Sequence, residues 1–223
     1  MPEEVVAMVG TAVVRARQER RRVIVAAAAG LFAACGYRAA SMEEIACRAG
    51  ISKPVLYKAF SSKLELYLAV LHEAEQVLGE TLTSALAHAE GTSSIVTATV
   101  AAIFDFADIH ARSAALLAGA AVAEEPSAQR AAYRAATACT DALLDALVPY
   151  PLSRSEQGWL ITTEVIAIAQ ACARGWAVTG KPLPKHEAVA VTAGLCWSGL
   201  AGVRLAAPKP SIHTAGRVPT SEL

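Results

Sequence analysis

The chain has little of what most functional classes leave in a sequence. Its formal net charge is zero, aromatic residues make up 5%, and only 14 glycines and 10 prolines are spread over 223 residues. With 54% apolar and 18% charged residues, that scarcity of Gly and Pro excludes collagen-like and wholly disordered chains. The five cysteines (Cys35, Cys47, Cys139, Cys172, Cys196) include no C-x-x-C pair. Neither a zinc site nor a disulfide framework is therefore expected, and all five are read as buried structural thiols. The five histidines are isolated from one another, so no metal and no cofactor is expected. No G-x-S-x-G, P-loop or Rossmann glycine pattern occurs, which leaves an enzyme no constellation to stand on. The longest apolar runs, residues 23–35 and 188–203, fall short of the roughly 20 residues a membrane helix needs. The opening MPEEVVAMVG has acids where an export signal needs positive charge, so the expectation is a cytoplasmic chain with no membrane partner.

What is present is alanine, leucine and valine in helical periodicity, over a length that suits one large domain or two small ones. The zero charge is also uneven. Between Arg15 and Lys63 ten basic residues face three acids, a net of +7, while the rest of the chain holds ten basic and seventeen acidic residues, a net of −7. A polyanion partner leaves a basic excess of this kind, so the first sixty residues are the candidate nucleic-acid module.

Within that module Ile24, Ala27, Ala28, Leu31, Phe32 and Cys35 fall on one helical face that ends at Gly36. Ser41 opens a second helix as its cap, with Glu44 placed to complete a capping box, and Met42, Ile45, Ala46 and Ala49 form its apolar stripe. Gly50 stops it. A third helix follows almost at once, with Pro54 in its first turn and Ile51 placed to staple onto Leu56. Ser62 and Glu65 repeat the capping pattern for a fourth helix with the stripe Leu64, Tyr67, Leu68, Leu71 and Leu78. Two short helices joined by a tight glycine turn and backed by a longer first helix form a helix-turn-helix. Lys53 and Lys63 each occupy the first position of a helix, where a cation opposes the macrodipole unless an anion is the intended neighbour.

The stretch LFAACGYRAASMEEIACRAGISKPVLYKAFSSKLELYLAV resembles the N-terminal domain of TetR/AcrR transcriptional regulators over close to fifty residues. The resemblance implies base or groove contacts from Lys53, Pro54, Val55 and Lys58 and DNA-backbone contacts from Ser41, Tyr57 and Lys63. The arm carrying Arg20, Arg21 and Arg22 should add sequence-independent phosphate affinity. Ala59 departs from the family pattern, which places a large side chain before the phenylalanine.

Beyond about residue 70 the chain reads as helices over 94–110, 113–124, 128–147, 155–178 and 185–206, without strand-like alternation. The fold expected is all-α, about nine helices. A basic arm (1–22) and a three-helix helix-turn-helix domain (23–69) are followed by a larger helical effector-binding and dimerisation domain (70–207) and a disordered tail (208–223). The last two helices are rich in apolar and small residues and are read as pairing across a two-fold axis, with Ile166, Gln170, Val189, Cys196, Leu200 and Val203 at the interface. The family resemblance further implies an effector pocket, for which Phe104, Phe106, His110, Tyr133, Thr137 and Trp159 are the candidates. The resulting expectation is a homodimeric one-component regulator, a repressor, that binds a palindromic double-stranded operator and is released by a small apolar effector. The rival readings are an effector-independent regulator and a helical carrier or enzyme with a vestigial DNA-binding module.

Overall fold

A chain so rich in alanine and leucine and so poor in β-branched runs has one inexpensive way to satisfy its backbone, and the computed structural model is helical throughout. It describes residues 2–121, 123–151 and 157–202, with side chains from Val14 onward except at 121 and 200–202. The expected tail lies outside the described residues. Among the described residues nine helices run in order: α1 (Pro2–Ala39), α2 (Met42–Arg48), α3 (Lys53–Ala59), α4 (Lys63–Leu86), α5 (Thr92–Ile109), α6 (Ala111–Ala121), α7 (Pro126–Ala146), α8 (Gly158–Val178) and α9 (Lys185–Gly202). Residues 2–22 of the basic arm lie in the first half of α1. Gly36 breaks that helix as expected, with φ 78° and ψ 167°, a conformation L side chains rarely adopt.

The caps form, with one difference each from expectation. Ser41 Oγ accepts from the Glu44 amide at 3.0 Å and Ser62 Oγ from the Glu65 amide at 3.0 Å. Their carboxylate partners go elsewhere. Glu44 accepts from Arg48 one turn on, at 2.8 Å, and Glu65 reaches past its cap to the amide and hydroxyl of Ser61, both at 2.7 Å. Glu65 is held below its ordinary carboxylate range, chiefly by those Ser61 hydrogen bonds.

Two apolar cores share α4. The smaller gathers Ile24, Phe32, Ile45, Leu56, Phe60, Leu66, Tyr67 and Val70 around the first three helices. It is not closed by those helices alone, because Leu116 and Ala120 of α6 and Ala128 and Ala131 of α7 lie in the same cluster. The larger core is built on α5, with Val100, Ile103, Phe104 and Phe106 packed among Leu78 and Leu82 of α4, Leu143 of α7, Ile166 and Trp176 of α8 and Cys196 of α9. Each large side chain so buried is worth about 1.5–3 kcal/mol relative to exposure. The buried stripe of α4 is centred on Leu66, Tyr67, Val70 and Leu71 instead of Leu64 and Leu68, since the helix is gripped from both flanks.

One expectation fails. Cys35 and Cys47 are exposed; only Cys139 and Cys196 are buried, with Cys172 between, because Cys35 and Cys47 lie on the solvent edges of α1 and α2. Burial pushes the Cys139 thiol up to about 12. Residues 14–39 and α5 are also long and apolar enough to cross a membrane by length and composition, although no single run suggested it. In α5 the apolarity is explained by its place at the centre of the larger core.

Candidate functional site

The geometry of the helix-turn-helix module follows from Leu56 and Phe60. Both are fully buried, and being one turn apart they fix which side of α3 turns outward. That outer side carries Lys53, Pro54, Tyr57 and Lys58, all exposed, with Val55 half-buried at its margin. Ser41 is also exposed, but its hydroxyl oxygen is engaged as the α2 cap. Apart from Val55, these residues lie exposed around the α2–α3 turn.

The cations of that surface divide into two groups. Lys53 Nζ donates to Glu43 Oε1 at 2.5 Å; this contact raises the lysine above its ordinary range and lowers the glutamate below it. Arg22 lies 3.9 Å from Glu19, a loose exposed pair. Lys63 is turned inward. Its ammonium donates to the carbonyls of Arg38 at 3.2 Å and Ala40 at 3.1 Å and stands over the Tyr37 ring at 4.7 Å. Arg21 is likewise committed, with its guanidinium 4.1 Å above the Phe60 ring and Nη1 donating to the Ala59 carbonyl at 3.3 Å. Among the described residues Arg20 and Lys58 take part in no ion pair, which leaves their full charge for a polyanion.

The second feature is a cavity of about 930 Å³ lined by α4 to α8 and open to solvent along one side, where Tyr133 and Val178 are exposed. Ten of its 21 lining residues are alanine, and side chains that short leave the volume open. Leu78, Ile103, Phe106, Leu117 and Val178 supply further apolar wall. The polar lining is Gln129, Arg130, Tyr133, Gln170 and Arg174, and no carboxylate is among the lining residues. An apolar chamber with two guanidinium groups and two amides suits an elongated apolar body carrying a polar or anionic end.

Of the six pocket candidates, Phe106 and Tyr133 line the cavity. Phe104 is buried against Trp176, ring centroids 5.6 Å apart. His110 ends α5 beside Phe106, Thr137 is half-buried on α7 outside the lining, and Trp159 is exposed at the start of α8. The arginines and glutamines of the cavity were missed. Their signal was present: Gln129, Arg130, Tyr133 and Ala136 recur at helical spacing on one face of α7.

The interface candidates also separate. Ile166 and Cys196 point into the larger core, Val189 packs on its edge, and Gln170 lines the cavity. The side chain of Leu200 and all of Val203 lie outside the described residues. The apolar groups that α8, α9 and their connection expose are Trp159, Leu160, Val178, Leu183, Val191, Leu195 and Trp197.

Residues 24–70 match the family described as bacterial regulatory proteins, tetR family. Over 189 residues, 85% of this chain and 86% of the relative, the sequence is 38% identical to the HTH-type transcriptional activator FasR of Mycolicibacterium smegmatis. Among solved structures, a tetR-family transcriptional regulator from Streptomyces coelicolor is similar at TM-score 0.66 and 26% identity, covering 82% of this chain and 81% of that one. The transcriptional regulator FadR of Bacillus subtilis, crystallised with stearoyl-CoA, shares the fold at TM-score 0.70 and 14% identity, covering 80% of this chain and 98% of that one.

Proposed function

This chain belongs to the TetR family of transcriptional regulators, and from that premise we propose that it is a homodimer reading a two-fold-symmetric operator under the control of an amphiphilic effector. The observation that carries the reading is the shared core: α6 and α7, which wall the cavity, also complete the apolar cluster that holds α2 and α3. An occupant that moves those helices acts on the recognition helix without touching it.

Dimerisation follows from geometry and from surface. Two recognition helices on one duplex must be about 34–36 Å apart, which calls for a second copy. The exposed Trp159, Leu160, Val191, Leu195 and Trp197 on α8 and α9 supply an apolar face for it. The effector class rests on the lining. Alanine-rich walls accept an acyl-type chain, and Arg130 and Arg174 with no lining carboxylate favour an anionic or strongly polar head. The sign of control has one support: the mycobacterial relative is named an activator, which favours activation over the repression expected from sequence.

The test is fluorescence anisotropy on DNA from upstream of its own gene. A long-chain fatty acid, its coenzyme A thioester and the matching uncharged alcohol are added in turn. The reading expects a palindrome to be preferred over random duplex, and the acid or thioester to shift its affinity while the alcohol does so weakly. Equal binding to all DNA, or no response to any of the three, defeats it.

A further inference from the structure

Two polar links meet at the connection between α6 and α7. On the cavity side Gln129, a lining residue, donates from Nε2 to the carbonyl of Ala123 at 2.7 Å. On the DNA side the carboxylate of the next residue, Glu124, is paired with the guanidinium of Arg38 in the last turn of α1. Arg38 belongs to the joint between α1 and α4, since its own carbonyl accepts from Lys63 Nζ. The connection is braced from beneath by Ala120 and Ala128, both fully buried in the smaller core.

We propose that Ala123 and Glu124 form a polar strap, held at one end by Gln129 and at the other by Arg38, through which the cavity's occupancy is transmitted to the helix-turn-helix. The proposal rests on the effector reading above. An occupant whose head group accepts the Gln129 amide leaves the Ala123 carbonyl to water. The strap then slackens, Glu124 loses its set position against Arg38, and the end of α1 that Lys63 ties to α4 is free to shift. The Arg38 and Glu124 side chains are 77% and 79% exposed. A pair so exposed adds little to stability, so releasing it leaves the module folded while biasing how its helices are set. The link also specifies chemistry: the occupant must offer a hydrogen-bond acceptor at the α7 end of the cavity.

The test uses full-length protein without effector, by hydrogen exchange read with mass spectrometry. Gln129→Leu keeps the apolar wall and removes the donor. The strap predicts amide exchange over residues 36–41 that is faster by roughly twofold to fivefold. In a Glu124→Gln background the same substitution should leave 36–41 unchanged, and the exchanged pair Arg38→Glu with Glu124→Arg should restore the response. If Gln129→Leu leaves residues 36–41 unaffected in the parent protein, or alters them equally in both backgrounds, the strap is overturned. Because no effector is added, a failure of the effector reading shows separately, as absence of binding by the three amphiphiles.

Discussion

The guanidinium of Arg21 lies 4.1 Å above the ring of Phe60 while its Nη1 donates to the carbonyl of Ala59, so the basic half of α1 is tied to the end of the recognition helix. Arg20, its neighbour, is exposed and in no ion pair among the described residues. The two substitutions should therefore differ in kind. Arg21→Ala removes a cation–π contact worth about 0.5–1 kcal/mol, lowering thermal stability and operator affinity together with the salt dependence intact. Arg20→Ala should leave the melting temperature alone and reduce the slope of log K against log salt by about one. Melting curves beside salt titrations on operator and random DNA distinguish them.

Lys63 tests the difference between a phosphate contact and a clamp. Its ammonium accounts for two carbonyls at the end of α1, where a cation also favours the helix dipole. Lys63→Met keeps much of the apolar stem and deletes the donors. The expected result is a loss of about 1–2 kcal/mol in unfolding free energy with the salt slope unchanged. A reduced slope with normal stability would return Lys63 to the DNA-contacting group.

Glu43 holds Lys53 at 2.5 Å on the exposed face at the α2–α3 turn that is proposed to meet DNA, and the carboxylate is itself a like charge to phosphate. Glu43→Gln should free the lysine and remove the repulsion, raising affinity for random duplex several-fold and steepening the salt slope by about one. Discrimination between operator and random DNA should fall, because the gain is indifferent to sequence. Lys53→Ala in the same background should cancel it. Anisotropy at two salt concentrations suffices to check both.

The elements that proved legible in the sequence are those decided by neighbours in the chain. Ser41, Gly50 and Ser62 mark helix ends through contacts three or four residues long, and the alternation of Leu56 and Phe60 with Tyr57 and Lys58 sets the face of α3. What was hidden depends on distant partners. Lys63 is indistinguishable from an exposed first-turn lysine until the carbonyls of Arg38 and Ala40, 25 and 23 residues earlier, are brought beneath it. Phe104 and Phe106 are equally apolar, yet one packs on Trp176 and the other faces the cavity, a choice made by which helices flank α5. The same holds for Leu116 and Ala120, whose place in the DNA-binding core no local pattern reveals.

At the far end of the molecule Asp105 and Asp108 of α5 receive Lys181 and Lys185, fastening the turn between α8 and α9 to the larger core. Lys185 is the first residue of α9, where its charge opposes the helix dipole, so the two carboxylates offset an otherwise unfavourable placement. Hydrogen bonds from Lys181 and then Lys185 hold Asp108 below its ordinary range, and those that Lys185 donates to Asp105 and Asp108 raise it above its own. A carboxylate depressed in the folded state contributes stability that is complete above its unfolded value, near pH 4, and is lost as pH falls through the lower folded value. The raised lysine contributes stability that is complete below its unfolded value and is lost only as pH rises beyond the ordinary lysine range, so the clamp is constant across neutrality. Asp108→Asn should accordingly lower the melting temperature at pH 6–8 by an amount that does not change with pH there. The gap to the parent protein should close as pH falls below about 4. With α8 and α9 carrying the proposed dimer face, the same variant should also weaken dimerisation in sedimentation equilibrium at neutral pH. A melting gap that persists undiminished to pH 3 would overturn the ionic clamp, and an unaltered dimer would separate it from the proposed interface.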